Sequence, residues 1–339
     1  MIIDAYAHGF HGKYLDQLEA AGGDWSKKTL SKLLTVTRNK PALTDVALRM
    51  EMLERNGIDV QVVTPSHFID SNLSPGDNAA QLAMARALND NMARIMEDSK
   101  GKLLTLGSVP LAAFESGGEQ EMERAMKGLG LKGIKLPSNL LGKPPDLPEF
   151  EPFWAKASEM DVPVYIQPID PMSHTGRAYE GDYGLSHTFG WPFETVLIMS
   201  RLVFSGIMER YPSLKIMSHH LGGGMIPFLW GRIIETYAPD NEQSNLQSMI
   251  GQTLPKPLFE YFSKFYYDTA IGASGPAIKC AHEVFGVDQI VFATDFPFGP
   301  GTGEMRLASY PNVIRSLGLS EADNKKIFEE NILRVLNPE

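Results

Sequence analysis

The chain has 339 residues, of which 43% are hydrophobic and 21% are charged, and its formal net charge is −10. This composition is ordinary for a globular protein with a large core, and the acidic balance disfavours nucleic acids and anionic membranes as partners, because these attract basic surfaces. The single cysteine, Cys280, excludes an internal disulfide and fits a reducing compartment. The N-terminus does not resemble a signal peptide and no apolar run is long enough to span a bilayer, so we expect a cytoplasmic protein.

Short apolar runs alternate with amphipathic segments along the chain. Eight runs are predicted to be strands, at residues 2–8, 59–64, 103–109, 133–136, 162–167, 214–220, 265–268 and 289–294. Helical spacing predicts helices over residues 44–56, 78–96, 119–129, 148–160, 193–210, 225–237, 258–264, 277–285, 304–317 and 321–336. Two longer connections read as irregular, residues 9–41 and residues 168–192, and segments of this length are more often functional covers than spacers.

Eight strands that alternate with helices predict an α/β fold. The expected architecture is a (β/α)8 TIM barrel with insertions after strands 1 and 5, in one domain that spans residues 1–339. An open, doubly wound sheet is the alternative, but no glycine-rich phosphate-binding fingerprint follows the first strand.

Polar side chains stand at the C-terminal ends of several predicted strands. Residues 289–299 read QIVFATDFPFG, so a buried apolar run gives way to Asp295. Asp295 alone would equally suit an N-cap of the next helix. Other strand ends carry the same kind of residue, namely Tyr6, His8, Lys135, Gln167, His219 and His220. Active sites of barrels are built at this end, and converging imidazole and carboxylate groups suit a divalent metal or general acid–base chemistry.

These motifs resemble the amidohydrolase superfamily. The resemblance covers essentially the whole chain and is carried by a first strand that starts with Asp and ends in x-His, by VPVYI-x-P, by LKI-xx-HH-LGGG and by ATDFPFG. The most similar branch contains aminocarboxymuconate semialdehyde decarboxylase and γ-resorcylate decarboxylase. The resemblance implies that His8, His220 and Asp295 are metal ligands, and that Asp295 and His220 are also catalytic.

Two positions depart from the pattern of that branch. Tyr6 stands where the first strand usually supplies a first ligand, and Gln167 stands at the histidine position of strand five. A phenol must lose a proton with a pKa of about 10 to bind a metal strongly, and an amide oxygen is a neutral donor that suits Mg²⁺ or Mn²⁺ better than Zn²⁺. These two residues leave three possibilities open: a divalent metal (Zn, Mn or Mg) that is held weakly, a metal other than that of the family, or no metal. In each case Tyr6 and Gln167 are candidate substrate contacts.

The resemblance also implies substrate contacts outside the strands. Arg232 matches a substrate carboxylate clamp that sometimes reaches a neighbouring subunit's site, although a surface arginine on a helix is the alternative. Arg49 is a weaker second candidate. Five residues of the strand-five insertion are weaker candidates for contacts from a lid, and a solvated loop is the favoured alternative for each: His174, Arg177, Tyr179, His187 and Trp191.

The implied function is a lyase that performs non-oxidative decarboxylation of a small aromatic or unsaturated carboxylic acid. In this hypothesis Asp295 protonates the carbon that bears the carboxylate, and His220 stabilises charge or relays the proton. The alternatives are a hydrolase or hydratase of a small carboxylated substrate such as a lactone, and a catalytically lapsed binding protein. We also expect a homo-oligomer, most simply a dimer, because Arg232 is a cross-subunit candidate.

Overall fold

The structure is a computed structural model that describes residues 1–21, 23–66, 72, 77–169, 183–238 and 254–336, apart from the side chains of residues 21 and 23–26. Eight parallel strands occur within these ranges. In chain order, β1 to β8 are Ile3–Gly9, Val60–Pro65, Leu103–Thr105, Ile134–Pro137, Val164–Gln167, Ile216–Ser218, Tyr266–Asp268 and Ile290–Val291. Each overlaps a predicted strand, although the observed strands are mostly shorter.

The strands pair in sequence order around a barrel. Strands β1 to β3 form one parallel sheet and β4 to β8 form another. A parallel bridge between Gly107 and Ile134 joins the first sheet to the second, and a bridge between Ala7 and Phe296 joins β1 to the segment after β8. The order of neighbours is therefore that of the predicted (β/α)8 barrel, with two seams where a single bridge replaces a continuous ladder.

Helices flank the strands, and the two longest follow β1 and β2. Their bounds are Lys13–Ala21, Gly23–Asn39, Val46–Arg55, Asn78–Asp98, Glu119–Glu123, Glu151–Glu159, Trp191–Phe204, Ile207–Arg210, Met225–Phe228, Trp230–Thr236, Leu258–Phe262, Gly275–Phe285, Glu304–Arg315, Glu321–Lys325 and Asn331–Leu336. Asp45, Asp77, Ser274 and Ser320 cap four of these helices by accepting a backbone N–H three residues further on. No helix in the described ranges combines the length and apolar character that crossing a bilayer requires.

The connection after β1 is helical, so the prediction of an irregular segment there is wrong. Helices Lys13–Ala21 and Gly23–Asn39 fill most of it. They are anchored by only a few buried apolar side chains, among them Tyr14, Leu18 and Leu33, and such a sparse stripe is hard to recognise in a polar sequence. The Lys40 ammonium follows the second helix and donates to the carbonyls of Gly299 and Gly301, each at 2.5 Å, in the loop after β8.

The connection after β5 is described only in part. Its last residues form a π-helical turn, Ser186–Gly190, which continues into helix Trp191–Phe204. Three of the predicted lid residues, His174, Arg177 and Tyr179, lie outside the described residues.

A bulge in β1 directs side chains of this strand to both faces of the barrel wall. The register between β1 and β2 shifts between Asp4 and Ala7, as happens when one strand carries an extra residue. Ala5 and Tyr6 consequently both pack in the inner apolar cluster, whereas Ala7 packs in the outer cluster beneath the helices. The bulge places Tyr6 and His8 in the barrel mouth and leaves Asp4 on the other side of the wall.

Candidate active site

Asp295 is the centre of the polar groups at the barrel mouth. It follows β8 in a left-handed conformation, with φ of 59°, and its backbone N–H donates to the Tyr6 carbonyl at 2.9 Å. One carboxylate oxygen lies 3.2 Å from His8 Nε2, and the other lies 2.6 Å from a guanidinium nitrogen of Arg306. The next helix begins only at Glu304 and has Gly303 at its N-cap, so the N-cap interpretation of Asp295 is wrong.

The surroundings of Asp295 favour its ionised form. Burial acts to raise the pKa of Asp295, but the hydrogen bond and charge of His8, together with the charges of His220 and Arg306, hold that pKa below its usual range. Burial lowers the pKa of His8, and the hydrogen bond to Asp295 opposes this effect. At neutral pH the pair therefore contains a carboxylate that can receive a proton.

Tyr6 and Gln167, the two departures from the family pattern, are in direct contact. The Tyr6 hydroxyl donates to the side-chain oxygen of Gln167 at 2.5 Å, and the Tyr6 ring stacks on His219 with centroids 3.4 Å apart. Burial, followed by the negative charges of Asp295 and Asp268, raises the pKa of Tyr6 well above its ordinary value. The phenol is therefore a neutral donor within the site.

A second buried pair joins His219 to Asp268, the last residue of β7. His219 Nδ1 lies 2.7 Å from one carboxylate oxygen, and the other oxygen accepts the backbone N–H groups of His220 and Ala270, each at 2.9 Å. Burial lowers the pKa of His219 well below its usual value and raises that of Asp268 to about 7. His219 Nε2 has no hydrogen-bond partner among the described residues. We did not predict Asp268 as a site residue, although it carries the same signal, a polar residue at a strand end.

His220 begins a run of left-handed backbone after β6. Its φ is 57°, Leu221 follows at 58°, and three glycines continue the run to Gly224. A Cβ at Gly223 would overlap the carbonyl of Pro192, so the glycines allow close backbone approach. The His220 ring lies 6.1 Å from the Tyr6 ring, and burial lowers the pKa of His220.

Lys135 brings a cationic side chain to the interior of the barrel. It is fully buried on β4, between Ile134 and Leu136, which both pack in the outer cluster. Because side chains alternate along a strand, Lys135 points inward. Its charge contributes to lowering the pKa of both His8 and His219, which places it among the groups of the mouth.

A family model described as Amidohydrolase matches residues 3–337. The chain belongs to the amidohydrolase family. It is 30% identical over 257 residues to 2-amino-3-carboxymuconate-6-semialdehyde decarboxylase of Dictyostelium discoideum, which covers 76% of this chain and 68% of the relative. It is also 25% identical over 323 residues to γ-resorcylate decarboxylase of a Rhizobium species, which covers 92% and 90% of the two chains.

Solved structures share the fold of this amidohydrolase. The 5-carboxyvanillate decarboxylase of Novosphingobium aromaticivorans, complexed with manganese and 4-hydroxy-3-methoxy-5-nitrobenzoic acid, superposes with a TM-score of 0.83 at 23% identity over 99% of this chain and 96% of that one. The predicted family and barrel fold are confirmed. The relatives named above are decarboxylases, as the resemblance implied.

Two arginines of this amidohydrolase differ in their relation to the mouth. Arg49 is buried, and its donors go to the Ala42 carbonyl at 2.9 Å, to the Gln61 side chain at 2.6 Å and to the His8 carbonyl. It therefore supports the barrel wall, and its suggested role as a substrate clamp is wrong. Arg232 is exposed on helix Trp230–Thr236 and has no recorded hydrogen bond or ion pair with the groups of the mouth described above. Its clamp role stays a prediction that requires a neighbouring copy of the chain.

The donors at the mouth do not fit a tightly bound divalent metal. Tyr6 and Gln167 are neutral and hydrogen-bonded to each other, and both oxygens of Asp295 face protein donors. Across the ranges that the structure describes, no three His, Cys, Asp or Glu side chains form a group that could hold an ion. The metal roles predicted for His8, His220 and Asp295 therefore stay predictions.

Proposed function

We propose that this protein is a carboxy-lyase that removes carbon dioxide from a small aromatic or unsaturated carboxylic acid without redox chemistry. The relatives named above are decarboxylases. The observation that carries the proposal is the position of Asp295, a carboxylate that follows β8, is only 14% exposed and is paired with His8 and Arg306. Together with Lys135, Arg306 gives the mouth cationic groups that suit an anionic substrate beside a group that can carry a proton.

The reaction consumes one proton. In an aromatic substrate, the ring carbon that bears the carboxylate gains a C–H bond, the C–C bond to the carboxylate breaks, its electron pair restores the ring, and carbon dioxide leaves. Asp295 is ionised in the free protein, so it must first gain this proton. A substrate carboxylate that competes for Arg306 and adds negative charge would raise the pKa of Asp295. The proton taken up in this way is held between His8 Nε2 and Asp295.

The remaining groups of the mouth position the substrate in this proposal. The Tyr6 hydroxyl and Gln167 form a fixed polar pair against one side of the site. Asp268 orients His219 through Nδ1, and we assign to His219 Nε2 the role of hydrogen-bond acceptor for a substrate hydroxyl. His220 keeps its predicted role as a second proton relay. Each of these roles depends on a neutral or oriented side chain and none requires a redox step.

Release of carbon dioxide from a panel of hydroxybenzoates and unsaturated acids tests the proposal. We expect at least one member to yield carbon dioxide and the decarboxylated product, in a reaction that the Asp295→Asn variant loses. If no member of the panel reacts while the protein still binds these acids, the proposal of a decarboxylase would be contradicted.

Hydrolysis or hydration is the second candidate function. The observation that favours it is His219 Nε2, an acceptor oriented by Asp268 that has no partner among the described residues and could take a proton from water. Product masses separate the two candidates, because hydration or hydrolysis adds the mass of water to a lactone or unsaturated acid, whereas decarboxylation removes carbon dioxide.

We further propose a homo-oligomeric, cytoplasmic protein with a single domain over residues 1–339. Arg232 is flanked on the surface by Phe228, which is 77% exposed, and Ile234, which is 51% exposed. Large exposed apolar side chains of this kind are common where subunits meet. Sedimentation of a stable monomer at micromolar concentration would contradict the oligomer.

A further inference from the structure

We propose that this amidohydrolase functions without a bound metal ion, and that Arg306 and Lys135 supply the positive charge that faces the substrate's carboxylate. The inference rests on the proposed function, because it specifies how the same site holds an anionic acid. It differs from what is seen in the solved relative, which contains manganese.

The first support is the chemistry of the two substituted ligand positions. A phenol that donates its proton to Gln167 keeps that proton on oxygen, so Tyr6 offers no anionic ligand in this arrangement. Gln167 offers only an amide oxygen, and this oxygen accepts the Tyr6 hydroxyl at 2.5 Å. An amide oxygen is a neutral and weaker ligand than imidazole or carboxylate, so neither position provides a strong ligand.

The second support is that His8 Nε2, both carboxylate oxygens of Asp295 and His219 Nδ1 are directed at protein groups. His8 Nε2 faces Asp295 at 3.2 Å, and the second oxygen of Asp295 faces Arg306 at 2.6 Å. His219 uses Nδ1 to contact Asp268. A metal ion would have to break the pairs of Asp295 with His8 and Arg306 to obtain two strong ligands.

The third support is the charge balance of the mouth. Arg306 contacts Asp295 directly, and its guanidinium also lies within hydrogen-bond distance of the Thr294 and Asp295 carbonyls, at 3.2 and 3.3 Å. Lys135 is buried on the inward face of β4. A divalent cation would add two further positive charges near Arg306 and Lys135, and like charges repel one another in a poorly solvated site. These fixed cations instead complement an anionic substrate.

Manganese binding by the wild-type protein and by a ligand-restoring variant tests the inference. The protein is purified without chelator, its metal content is measured, and Mn²⁺ binding is titrated by electron paramagnetic resonance. We expect no stoichiometric Mn²⁺ in the wild-type protein. The double variant Tyr6→His with Gln167→His restores two imidazoles, and we expect it to bind Mn²⁺ at least about 100-fold more tightly, because even outer-shell partners of a metal ligand contribute 10- to 100-fold.

Either of two results would overturn the inference. Stoichiometric Mn²⁺ in the wild-type protein would contradict the metal-free site directly. A folded double variant that binds Mn²⁺ no better than the wild type would show that Tyr6 and Gln167 do not set metal affinity. Circular dichroism of both proteins verifies folding, and neither readout needs turnover, so failure of the decarboxylase proposal would be recognised separately.

Binding of salicylate tests the assigned role of Arg306. Calorimetry is performed on the wild type with and without chelator, and on Arg306→Gln with Arg306→Lys as the charge-conserving control. We expect chelator to leave the affinity for salicylate unchanged. Arg306→Gln should weaken this affinity about tenfold or more, because a charge-assisted hydrogen bond to a carboxylate contributes about 1.5–3 kcal/mol. Arg306→Lys keeps the charge and should weaken it less. Loss of binding on chelation, or full affinity in Arg306→Gln, would contradict the assignment.

Discussion

Two aspartates lie at the seam between β1 and β8, on opposite faces of the barrel wall, and they behave differently: Asp4 is fully buried and Asp295 is 14% exposed. Asp4 accepts the Thr294 N–H at 2.9 Å, the Thr294 hydroxyl at 2.5 Å and the Gln61 amide at 2.7 Å. Burial raises the pKa of Asp4 to about 6 despite these bonds. Asp295 faces His8 and Arg306 in the mouth, and the charges around it hold its pKa below the usual range.

The difference shows what separates a structural carboxylate from a functional one in this fold. Asp4 accepts hydrogen bonds from neutral donors of the scaffold, and burial outweighs the stabilisation that these bonds give to its charged form. Titratable and cationic side chains surround Asp295, so a change in any of their charges changes its proton affinity. Both carboxylates are largely shielded from solvent, and it is the chemistry of their neighbours that separates their roles.

Asp295→Asn should have the largest effect on the functional side of this comparison. Asparagine keeps the size of the side chain and tolerates the left-handed backbone, but it cannot carry the proton. We expect turnover, measured as carbon dioxide release, to fall by about 10²- to 10⁴-fold with little change in the free energy of unfolding. Near-normal turnover would contradict the role of Asp295, and failure to fold would assign it to the scaffold with Asp4.

The pH dependence of stability should reveal the cost of burying Asp4. Its pKa is about 6 in the folded protein and ordinarily 3.8, so between these values the folded state holds a proton that the unfolded state has lost. The free energy of unfolding should therefore fall as pH rises from about 4 to above 6, by about 3 kcal/mol at about 1.4 kcal/mol per pKa unit. Urea titrations at several pH values, with Asp4→Asn as the reference, measure this fall. Parallel profiles for the two proteins would contradict it.

Asp4→Ala should show the reverse of Asp295→Asn. At pH 5 the substitution leaves the buried donors of Thr294 and Gln61 without an acceptor, and we expect a loss of about 2 kcal/mol in the free energy of unfolding. Turnover per folded molecule should stay within a few-fold of the wild type, because the side chain lies outside the mouth. A strong loss of turnover in folded protein would show that the two faces are coupled.

His219→Gln should give the smallest of these effects. We assign His219 Nε2 a hydrogen bond to a substrate hydroxyl, and one such bond contributes about 1–1.5 kcal/mol, so turnover should fall about tenfold. His282→Gln is the matched control, because it makes the same change on helix Gly275–Phe285, to which no role in the mouth is assigned. Wild-type turnover in His219→Gln would contradict the proposed hydrogen bond between His219 and the substrate.

The sequence predicts this fold well because each strand is signalled locally. Apolar runs that end in polar residues identified all eight strands, and the same signal placed Asp295, His8, Tyr6 and Gln167 at one mouth. Helices 13–21 and 23–39 were missed because their buried stripe has few members. The observed β8 has only two residues. The segment that follows it is joined to β1 by isolated backbone hydrogen bonds, such as that from the Ala5 N–H to the Phe292 carbonyl, rather than by a continuous ladder.

Other features of the site depend on information that is not local. Arg306 comes from the helix after β8, and nothing in its sequence surroundings indicates that it pairs with Asp295. The bulge in β1 depends on how β1 pairs with β2, so simple alternation could not place Asp4 and Tyr6 on different faces. The contact between Tyr6 and Gln167 joins residues that are distant in the chain.

The left-handed run from His220 to Gly224 limits how this protein can be redesigned. A random library at these positions would mostly place L-residues in a left-handed backbone conformation that is unfavourable for them. At Gly223, any side chain would also overlap the Pro192 carbonyl. Inactive clones from such a library would report misfolding rather than altered substrate preference. Directed evolution of specificity is better aimed at side chains in regular secondary structure, such as Gln167 on β5. A substitution there changes the lining of the pocket without straining a left-handed backbone.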